Sequence, residues 1–441
     1  MVAGLSHSES LRFAVPDGEI RALLVGTHTA EPSALAQAEE LLSELGQLTA
    51  TLGLRVLDRV LVKMRTPQSR YLIGSGKAAE IVALAAQCGA DAIIFDETLT
   101  PSQQRNWEKL AGRTVIDRQE VILDIFARHA RTKEAVLQVA LARAEYDLPR
   151  LKRRWVHLSR QRGMKGGMMG RGEGEQQIEI DSRQVQTRIS QLRAELAEVS
   201  KVRHVQRQRR EKRAVPVAAI VGYTNAGKSC LFNSLTHAGV VVEDILFATL
   251  DATVRRLCLP NNQELLLVDT VGFVRKLPHL LVEAFRSTLE EITTADFLIE
   301  VLDVSSSAAE EHHATTCGVL QEIGGARLPT ITVFNKTDLV PDPALLQRLR
   351  RRHHDAVFLS AKSGAGLEGL LTRMVEQLEY TRRRVRLFIP HSRYDVLAML
   401  HRTSHILSRK FTEEGIEIAA AVPVSLLGPL GPFNKNSVEN G

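Results

Sequence analysis

Residues 21–117 alternate between short apolar runs and longer stretches with helical spacing. The runs "IRALLVG", "RVLDRVLVKM" and "DAIIFDE" are typical of buried strands, whereas "SALAQAEELLSELGQL" and "AAEIVALAAQCGA" repeat apolar residues every three to four positions. Alternating strands and helices favour a parallel sheet with helices packed on its faces. We therefore predict a small N-terminal α/β domain.

The next region carries two apolar series in which successive members are four and three residues apart. The two series are Leu137, Leu141, Ala144, Leu148 and Leu151, and Val185, Ile189, Leu192, Leu196 and Val199. Matched seams of this kind predict an antiparallel helical hairpin. Pro149 lies inside the first series, and we expect it to kink or end that helix.

From Val215 to Leu378 the alternation of strands and helices returns. The strand-like runs are "VPVAAIVGY", "ELLLVDT", "ADFLIEVLDVS", "LPTITVFNK" and "AVFLSA". Helical stretches separate them, as in a doubly wound fold. After the Arg-rich joint "TRRRVR", the pattern predicts a strand, a helix and a strand, which would form a small C-terminal α/β appendage.

Positive charge is concentrated in the hairpin region. The 441-residue chain has a net charge of +6, but residues 141–213 alone carry +10, so the rest of the chain sums to −4. Gly163–Gly174, the loop of the hairpin, contains six glycines in twelve residues. The flanking cations are Lys152, Arg153, Arg154, Arg160 and Arg162 before the loop, and Lys201, Arg203, Arg207, Arg209 and Arg210 after it. The loop fits a flexible linker, or a mobile backbone that approaches the phosphates of structured RNA between cationic arms.

The chain has neither a run of about 18 apolar residues, which a spanning helix needs, nor a secretory signal. Its four cysteines form no C-x-x-C pair, which argues for a reducing compartment and against a cysteine zinc site. We predict a cytoplasmic protein and leave peripheral attachment to a membrane open. His312, His313 and Cys317 resemble metal ligands, but a fourth ligand is missing, and we interpret them as a solvated helix face.

Two segments resemble phosphate-binding loops. In Gly74-Ser75-Gly76-Lys77 the first glycine lies three residues before the lysine instead of six, so we favour a tight turn before a helix over a nucleotide site. Gly222 to Ser229, "GYTNAGKS", matches G-x-x-x-x-G-K-[ST] without a mismatch, between a strand and a helix. Its backbone N–H groups would surround the phosphates, Lys228 would neutralise the β- and γ-phosphates, and Ser229 would ligate Mg²⁺.

Three further motifs follow at the ends of later strands. Asp269-Thr270-Val271-Gly272 would orient the Mg²⁺ shell and direct the Gly272 N–H towards the γ-phosphate. In Asn335-Lys336-Thr337-Asp338, the Asp338 carboxylate would accept two hydrogen bonds from guanine, a donor pair that adenine lacks. Ser360-Ala361-Lys362 would hold the guanine carbonyl through backbone N–H groups. Together the four motifs predict a translation-factor-type GTPase.

The first switch falls between the phosphate loop and the Asp269 motif, in "FATLD". There Thr249 would place its hydroxyl on Mg²⁺ once a γ-phosphate is present, and Thr253 is the competing choice. The predicted catalytic residues are Lys228, Thr249 and Gly272, and the predicted metal ligands are Ser229 and Thr249. The predicted nucleotide-binding residues are Gly222, Tyr223, Thr224, Asn225, Ala226, Gly227, Lys228, Ser229, Phe247, Ala248, Thr249, Leu250, Asp251, Asp269, Thr270, Val271, Gly272, Asn335, Lys336, Thr337, Asp338, Ser360, Ala361 and Lys362.

Long motifs resemble the HflX branch of the Obg-like GTPases. They include "GYTNAGKS", "DTVGFVRKLPHLLVEAFRSTLEE", "FDETLTPSQQRNWEK" and "RGEGEQQIEIDSR", and the resemblance extends from about Arg21 to the appendage. It implies a GTPase that binds the large ribosomal subunit and its RNA, reaches with its hairpin tip towards the peptidyl-transferase centre, and splits or rescues stalled ribosomes.

The sequence departs from this family at two places. Gly172 to Gln177, "GEGEQQ", stands where the family usually reads like G-P-G-E-T-Q, and loss of the proline should make the tip more flexible. Cys230 stands where a threonine is common, which should weaken a contact to the α-phosphate.

Phe273 follows Gly272, where Ras-type enzymes carry a glutamine, so we expect slow intrinsic hydrolysis that a partner accelerates.

We therefore expect an α/β protein of four parts. These are an N-terminal α/β domain (1–134), a basic helical hairpin (135–213), a P-loop GTPase domain (214–383) and a small C-terminal α/β domain (384–441). The expected function is Mg²⁺-dependent GTP hydrolysis by a monomer on the large ribosomal subunit. The alternatives are an RNA-remodelling ATPase with a second, N-terminal nucleotide site, and a GTP-gated RNA-binding module with little turnover.

Overall fold

The computed structural model describes residues 20–154, 182–199, 201, 215–236, 246–247, 253–276, 286–340, 342–380, 382–423 and 426–434. By the density of contacts the chain forms two units. The first contains the N-terminal residues up to Val199 together with Leu246, Phe247, Arg275 and Lys276. The second contains the other described residues. Among the described residues, no helix combines the length and the apolar character needed to cross a membrane.

The first unit is built on the parallel sheet that the N-terminal pattern predicts. Its four strands are β1 (Arg21–His28), β2 (Arg55–Lys63), β3 (Ala92–Phe95) and β4 (Thr114–Asp117), in the order β2-β1-β3-β4. All three pairings are parallel. Helices Pro32–Thr51, Ser75–Gln87, Pro101–Ala111 and Arg118–His129 alternate with the strands. Burial of Leu23, Ile93, Phe95 and Trp107 forms the core on one side of this sheet.

A long helix, Lys133–Arg154, follows the sheet and carries the first apolar series. Residues 182–199 are also helical, and the two series pack against each other through Leu137, Leu141, Ile189 and Leu192. The helix does not end at Pro149 but continues to Arg154, so of the two expected effects of this proline, termination is wrong. A single proline removes one backbone hydrogen bond, and Arg150 holds the following turn through ion pairing with Asp117.

The first unit contains a buried group of charged side chains. Arg118 has 2% of its side chain exposed and pairs with Glu44 and Asp96. Lys276 contacts Asp96 and Glu97, each at 2.7 Å. Burial alone would raise the pKa of Asp96, but Arg118 and Lys276 hold that pKa below its usual value. The carboxylate therefore stays charged between two cations.

The second unit contains a six-stranded sheet. The strands are β5 (Val217–Gly222), β6 (Thr253–Cys258), β7 (Glu264–Asp269), β8 (Phe297–Asp303), β9 (Thr330–Asn335) and β10 (Val357–Phe358), in the order β10-β9-β8-β5-β7-β6. Five strands are parallel, as predicted, and β6 is an antiparallel edge strand. The sequence pattern missed β6, because only Leu257 of its six residues is buried. The helices are Lys228–Thr236, Arg286–Thr293, Ala309–Ile323, Pro343–Arg352 and Leu367–Tyr380.

The C-terminal part differs from the expected strand, helix and strand. It contains β11 (Arg382–Pro390), helix Tyr394–Thr403, β12 (His405–Phe411), β13 (Gly415–Pro423) and a short helix, Leu427–Leu430. The three strands form an antiparallel sheet in the order β11-β13-β12. The expectation was wrong because the apolar run after the helix folds as a hairpin, in which the Thr412 N–H donates to Gly415 O.

Candidate nucleotide site

The phosphate loop connects the end of β5 to helix Lys228–Thr236. Gly222, the last residue of β5, has a φ of 143°, and a Cβ at this position would lie 2.3 Å from the carbonyl oxygen of Val301. No other residue type fits there without moving the neighbouring strand. The Thr224 N–H donates to the carbonyl of Phe273 at 2.7 Å, and the Phe273 N–H donates to that of Gly222. The loop is thus fixed against the segment that follows β7.

Lys228 is the buried cation of this loop. Its side chain donates a hydrogen bond from Nζ to the carbonyl oxygen of Tyr223 at 2.7 Å. Burial lowers the pKa of Lys228 to about 8, while the neighbouring Asp269 carboxylate acts in the opposite direction. A phosphate group beside this ammonium would supply the negative charge that burial demands.

Ser229 and Asp269 bring two hard oxygen donors together. The Ser229 hydroxyl donates to Oδ2 of Asp269 at 2.8 Å, and Asp269 is fully buried at the end of β7. A hydroxyl and a carboxylate are ligand types that suit Mg²⁺, which keeps most of its remaining positions for water and phosphate oxygens. The donor set therefore fits the predicted metal. Thr253, the competing switch residue, begins β6 opposite Asp269.

Gly272 lies directly against the phosphate loop. A Cβ at this position would come within 2.8 Å of Lys228 Nζ and of Thr224 Cγ2, so a side chain would displace the loop. Phe273, the next residue, is 1% exposed. Its ring belongs to the interior, which agrees with the absence of a water-orienting side chain at that position.

The base-recognition motifs are tied to the phosphate loop by one buried side chain. Asn335 donates from Nδ2 to the carbonyl of Ala226 at 2.9 Å and accepts at Oδ1 from the Ala361 N–H at 2.9 Å. It thereby links three of the four predicted motifs. Asp338 lies in the 3₁₀ turn Thr337–Leu339 and is exposed, as is Lys362. Both side chains are free to meet a base from the solvent side.

We expect Asn335→Ala to destabilise the second unit. It would leave the buried Ala226 carbonyl and Ala361 N–H without their partner, at a cost of about 2–4 kcal/mol in the free energy of unfolding. Urea unfolding measures this loss. Thr330→Ala, on the exposed end of the same strand, is the control and should change the free energy by less than about 0.5 kcal/mol. Equal effects of the two substitutions would contradict the linking role of Asn335.

The first-switch residues are only partly described. Ala248, Thr249, Leu250 and Asp251 lie outside the described residues. Phe247 is buried, with its ring 4.7 Å from that of Phe126 in an edge-on arrangement. The structure thus assigns the Phe247 ring a packing contact within the first unit, and its predicted nucleotide contact stays a prediction.

Sequence reasoning missed two neighbours of the phosphate loop. The His312 ring stacks on that of Tyr223, with ring centres 3.8 Å apart and planes 13° apart. Ser234 donates to the carbonyl of Ala361 at 2.6 Å, which adds a second link to the Ser360 motif. His312 is 89 residues away from Tyr223 in the chain, so no local pattern signals that contact.

The Gly74 segment is the start of a helix. Gly74 precedes helix Ser75–Gln87, and Lys77 pairs with Glu80 at 2.6 Å on an exposed face. A cavity of about 620 Å³ lies beside it and is lined by His28, Lys63 and Lys77, among others. The turn predicted before the helix is present, without the wrapped backbone of the Gly222 loop.

The second unit has a mostly parallel sheet with a phosphate loop between β5 and its helix. Three further motifs lie at the carboxyl ends of β7, β9 and β10. Together these features define a P-loop GTPase. GTPase HflX of Akkermansia muciniphila is 48% identical to this chain over 427 residues, which cover 95% of this chain and 98% of the relative. GTPase HflX of Escherichia coli K12 is 43% identical over 338 residues, covering 76% and 79%. This chain belongs to the HflX family of GTPases.

Three stretches also match known protein families. Residues 39–127 match GTP-binding GTPase N-terminal, residues 129–210 match GTP-binding GTPase Middle Region, and residues 217–336 match 50S ribosome-binding GTPase. Among solved structures, a GTP-binding protein from the hyperthermophilic archaeon Sulfolobus solfataricus in complex with GDP is 26% identical. That alignment covers 81% of this chain and 98% of the other, with a TM-score of 0.43.

Proposed function

We propose that this GTPase acts with Mg²⁺ on the large ribosomal subunit, as a cytoplasmic monomer that separates or rescues stalled ribosomes. The observation that carries the proposal is the match of residues 217–336 to 50S ribosome-binding GTPases. The net charge of +10 on residues 141–213 supports it, because contacts with RNA phosphates require a cationic surface.

The anchoring of the first hairpin helix supports the same proposal. Arg143 pairs with Glu120, Asp124 and Asp147, at 3.2, 2.5 and 3.1 Å. Arg150 pairs with Asp117 and lies over the ring of Tyr146 at 3.4 Å. Burial alone would lower the pKa of Arg143, but the three carboxylates raise it above its usual value. These arginines are used to fix the helix, so RNA contacts fall to the cations nearer its tip.

The proposed reaction is attack of water on the γ-phosphorus with release of GDP and phosphate. Lys228 would neutralise charge that develops on the β- and γ-phosphate oxygens, and the Gly272 N–H would donate to a γ-oxygen. Ser229 would ligate Mg²⁺, which supplies further neutralisation when bound, and Asp269 would orient the shell of the ion. Thr249 would complete the metal ligands from the first switch. Since the Phe273 ring is buried, turnover without a partner should be slow.

The hairpin provides the direct test of ribosome action. Replacing Gly163–Gly174 by a short neutral linker should leave intrinsic GTP turnover close to wild type, because no phosphate or guanine contact is assigned to this loop. Turnover stimulated by purified large subunits should fall at least about tenfold. Unchanged stimulation would show that the hairpin is only a spacer and that ribosome recognition must be sought in the N-terminal α/β domain.

Charge reversal in the arms that flank the loop is the companion experiment to the loop replacement. Arg207→Glu combined with Arg210→Glu leaves the loop intact and should weaken subunit binding while flattening its dependence on salt, as expected from lost phosphate contacts. If ribosomal particles change turnover in no variant, including wild type, the GTP-gated RNA-binding module is favoured instead.

A further inference from the structure

Three side chains with metal-ligating atoms meet in the second unit outside the predicted nucleotide-binding residues. Glu300 lies on β8, and His313 and Cys317 lie on helix Ala309–Ile323. Their ligand atoms all lie within 4.8 Å of one another. His313 Nδ1 is 2.7 Å from Glu300 Oε1 and 3.9 Å from the Cys317 sulfur, and that sulfur is 3.7 Å from His313 Nε2.

The spacing of the three atoms is close to that of ligands around one ion. His313 and Cys317 are four residues apart, so they share one face of their helix. Zn–N and Zn–S bonds of about 2.0 and 2.3 Å at a tetrahedral angle place nitrogen and sulfur roughly 3.5 Å apart. The carboxylate is nearer to the imidazole than two ligands of one ion would be. A small rotation of the half-exposed His313 side chain would open that distance.

The burial of the carboxylate distinguishes this group from an ordinary surface pair. The Glu300 side chain is 3% exposed, in the middle of a strand paired with β5 and β9. A buried carboxylate requires compensation by a positive group or by hydrogen bonds. A histidine supplies at most one positive charge, whereas a divalent ion supplies two. Cys317 is exposed, which leaves a route for the ion and room for a water ligand.

We propose that Glu300, His313 and Cys317 form a binding site for a divalent transition-metal ion of the zinc type, with water in the remaining position. A carboxylate, an imidazole and a thiolate suit Zn²⁺ and Co²⁺ and disfavour Mg²⁺ and Ca²⁺, which select oxygen ligands. The site is therefore chemically distinct from the Ser229–Asp269 pair. It also revises the sequence interpretation, because His312 stacks on Tyr223 and Glu300 supplies the third ligand.

The position of the site means that a bound ion would stabilise the helix beside the phosphate loop. The helix that carries His313 and Cys317 also carries His312. An ion bound between this helix and β8 would restrain the helix next to the Tyr223–His312 stack. We therefore expect bound Zn²⁺ to raise the thermal unfolding temperature by several degrees.

The test uses Co²⁺ as a spectroscopic probe, because its bond to a thiolate produces a charge-transfer absorption in the near ultraviolet. The full-length protein is stripped with a chelator and titrated in the presence of GDP and excess Mg²⁺. We expect one equivalent of Co²⁺ to produce the absorption and Zn²⁺ to displace it. Cys317→Ser should abolish the absorption, and His313→Ala should weaken Zn²⁺ binding by at least about tenfold.

Cys258→Ser, at the other exposed cysteine, is the matched control and should leave the absorption unchanged. Both helix variants alter exposed side chains, and their GTP turnover with Mg²⁺ should stay close to wild type, which verifies folding. Absence of the absorption in wild type, or its survival in Cys317→Ser, would show that Glu300 and His313 form only a hydrogen-bonded pair and would overturn the proposal.

Discussion

Lys228→Ala is expected to abolish GTP turnover, with a loss of at least about a thousandfold. The substitution removes the buried ammonium that Tyr223 orients, at the place where charge on the β- and γ-phosphates would develop. Removal of one preorganised group of this kind costs about 10²–10³ in turnover, and Lys228 also contributes to phosphate binding. Single-turnover hydrolysis at saturating GTP measures the effect on the chemical step alone.

The chain offers its own control for this substitution. Lys77 ends the other phosphate-loop-like segment, and Lys77→Ala should leave turnover unchanged because Lys77 pairs with Glu80 on an exposed face. Ser229→Ala should reproduce the loss caused by Lys228→Ala and should not be rescued by ordinary Mg²⁺. If Lys228→Ala and Ser229→Ala keep their turnover while Lys77→Ala loses it, the single-site assignment is wrong and the N-terminal ATPase alternative gains support.

Asp338→Asn is expected to move the preference from guanosine to xanthosine triphosphate. The substitution replaces an acceptor by a group that can donate, so it opposes the guanine donors and suits the carbonyl of xanthine. Sites built on such hydrogen bonds discriminate by about 10⁴-fold, and we expect a fall in kcat/KM for GTP of that order. Competition between the two nucleotides for turnover measures the exchange.

Asp355→Asn serves as the control, because Asp355 is exposed and pairs only with its neighbour His354 among the ion pairs of the described residues. It should leave both nucleotides unaffected. An unchanged KM for GTP in Asp338→Asn would refute the assignment of base recognition. The outcome also bears on ATP, since the same carboxylate is the reason given for excluding adenine.

The sequence predicted those parts of the protein that depend on local patterns. The phosphate loop and the motifs beginning at Asp269, Asn335 and Ser360 follow apolar strands, and the carboxyl ends of parallel strands meet at one edge. The two hairpin seams were also visible as spacing, and they do pack together. In each case the signal lies in the spacing of residues that are close together in the chain.

The features that the sequence did not reveal depend on residues distant in the chain. Arg118 pairs with Glu44 across 74 positions, and Glu300 faces a helix whose histidines suggested a solvated surface. The sequence pattern did not predict the edge strand β6, because this strand is largely exposed and has few apolar residues. Contacts of this kind follow from the order in which strands pair, which periodicity alone does not determine.

The membership of Arg275 and Lys276 in the first unit affects how the protein can be dissected. Arg275 contacts Glu40 and Glu44, at 3.3 and 3.5 Å, and Lys276 contacts Asp96 and Glu97. A fragment cut after Val199 would keep these four carboxylates but lose both cations, so Arg118 alone would compensate the buried Glu44 and Asp96. The weak folding or altered activity of such a fragment would therefore report the cut itself. The shortest N-terminal fragment that keeps these pairs ends at or beyond Lys276.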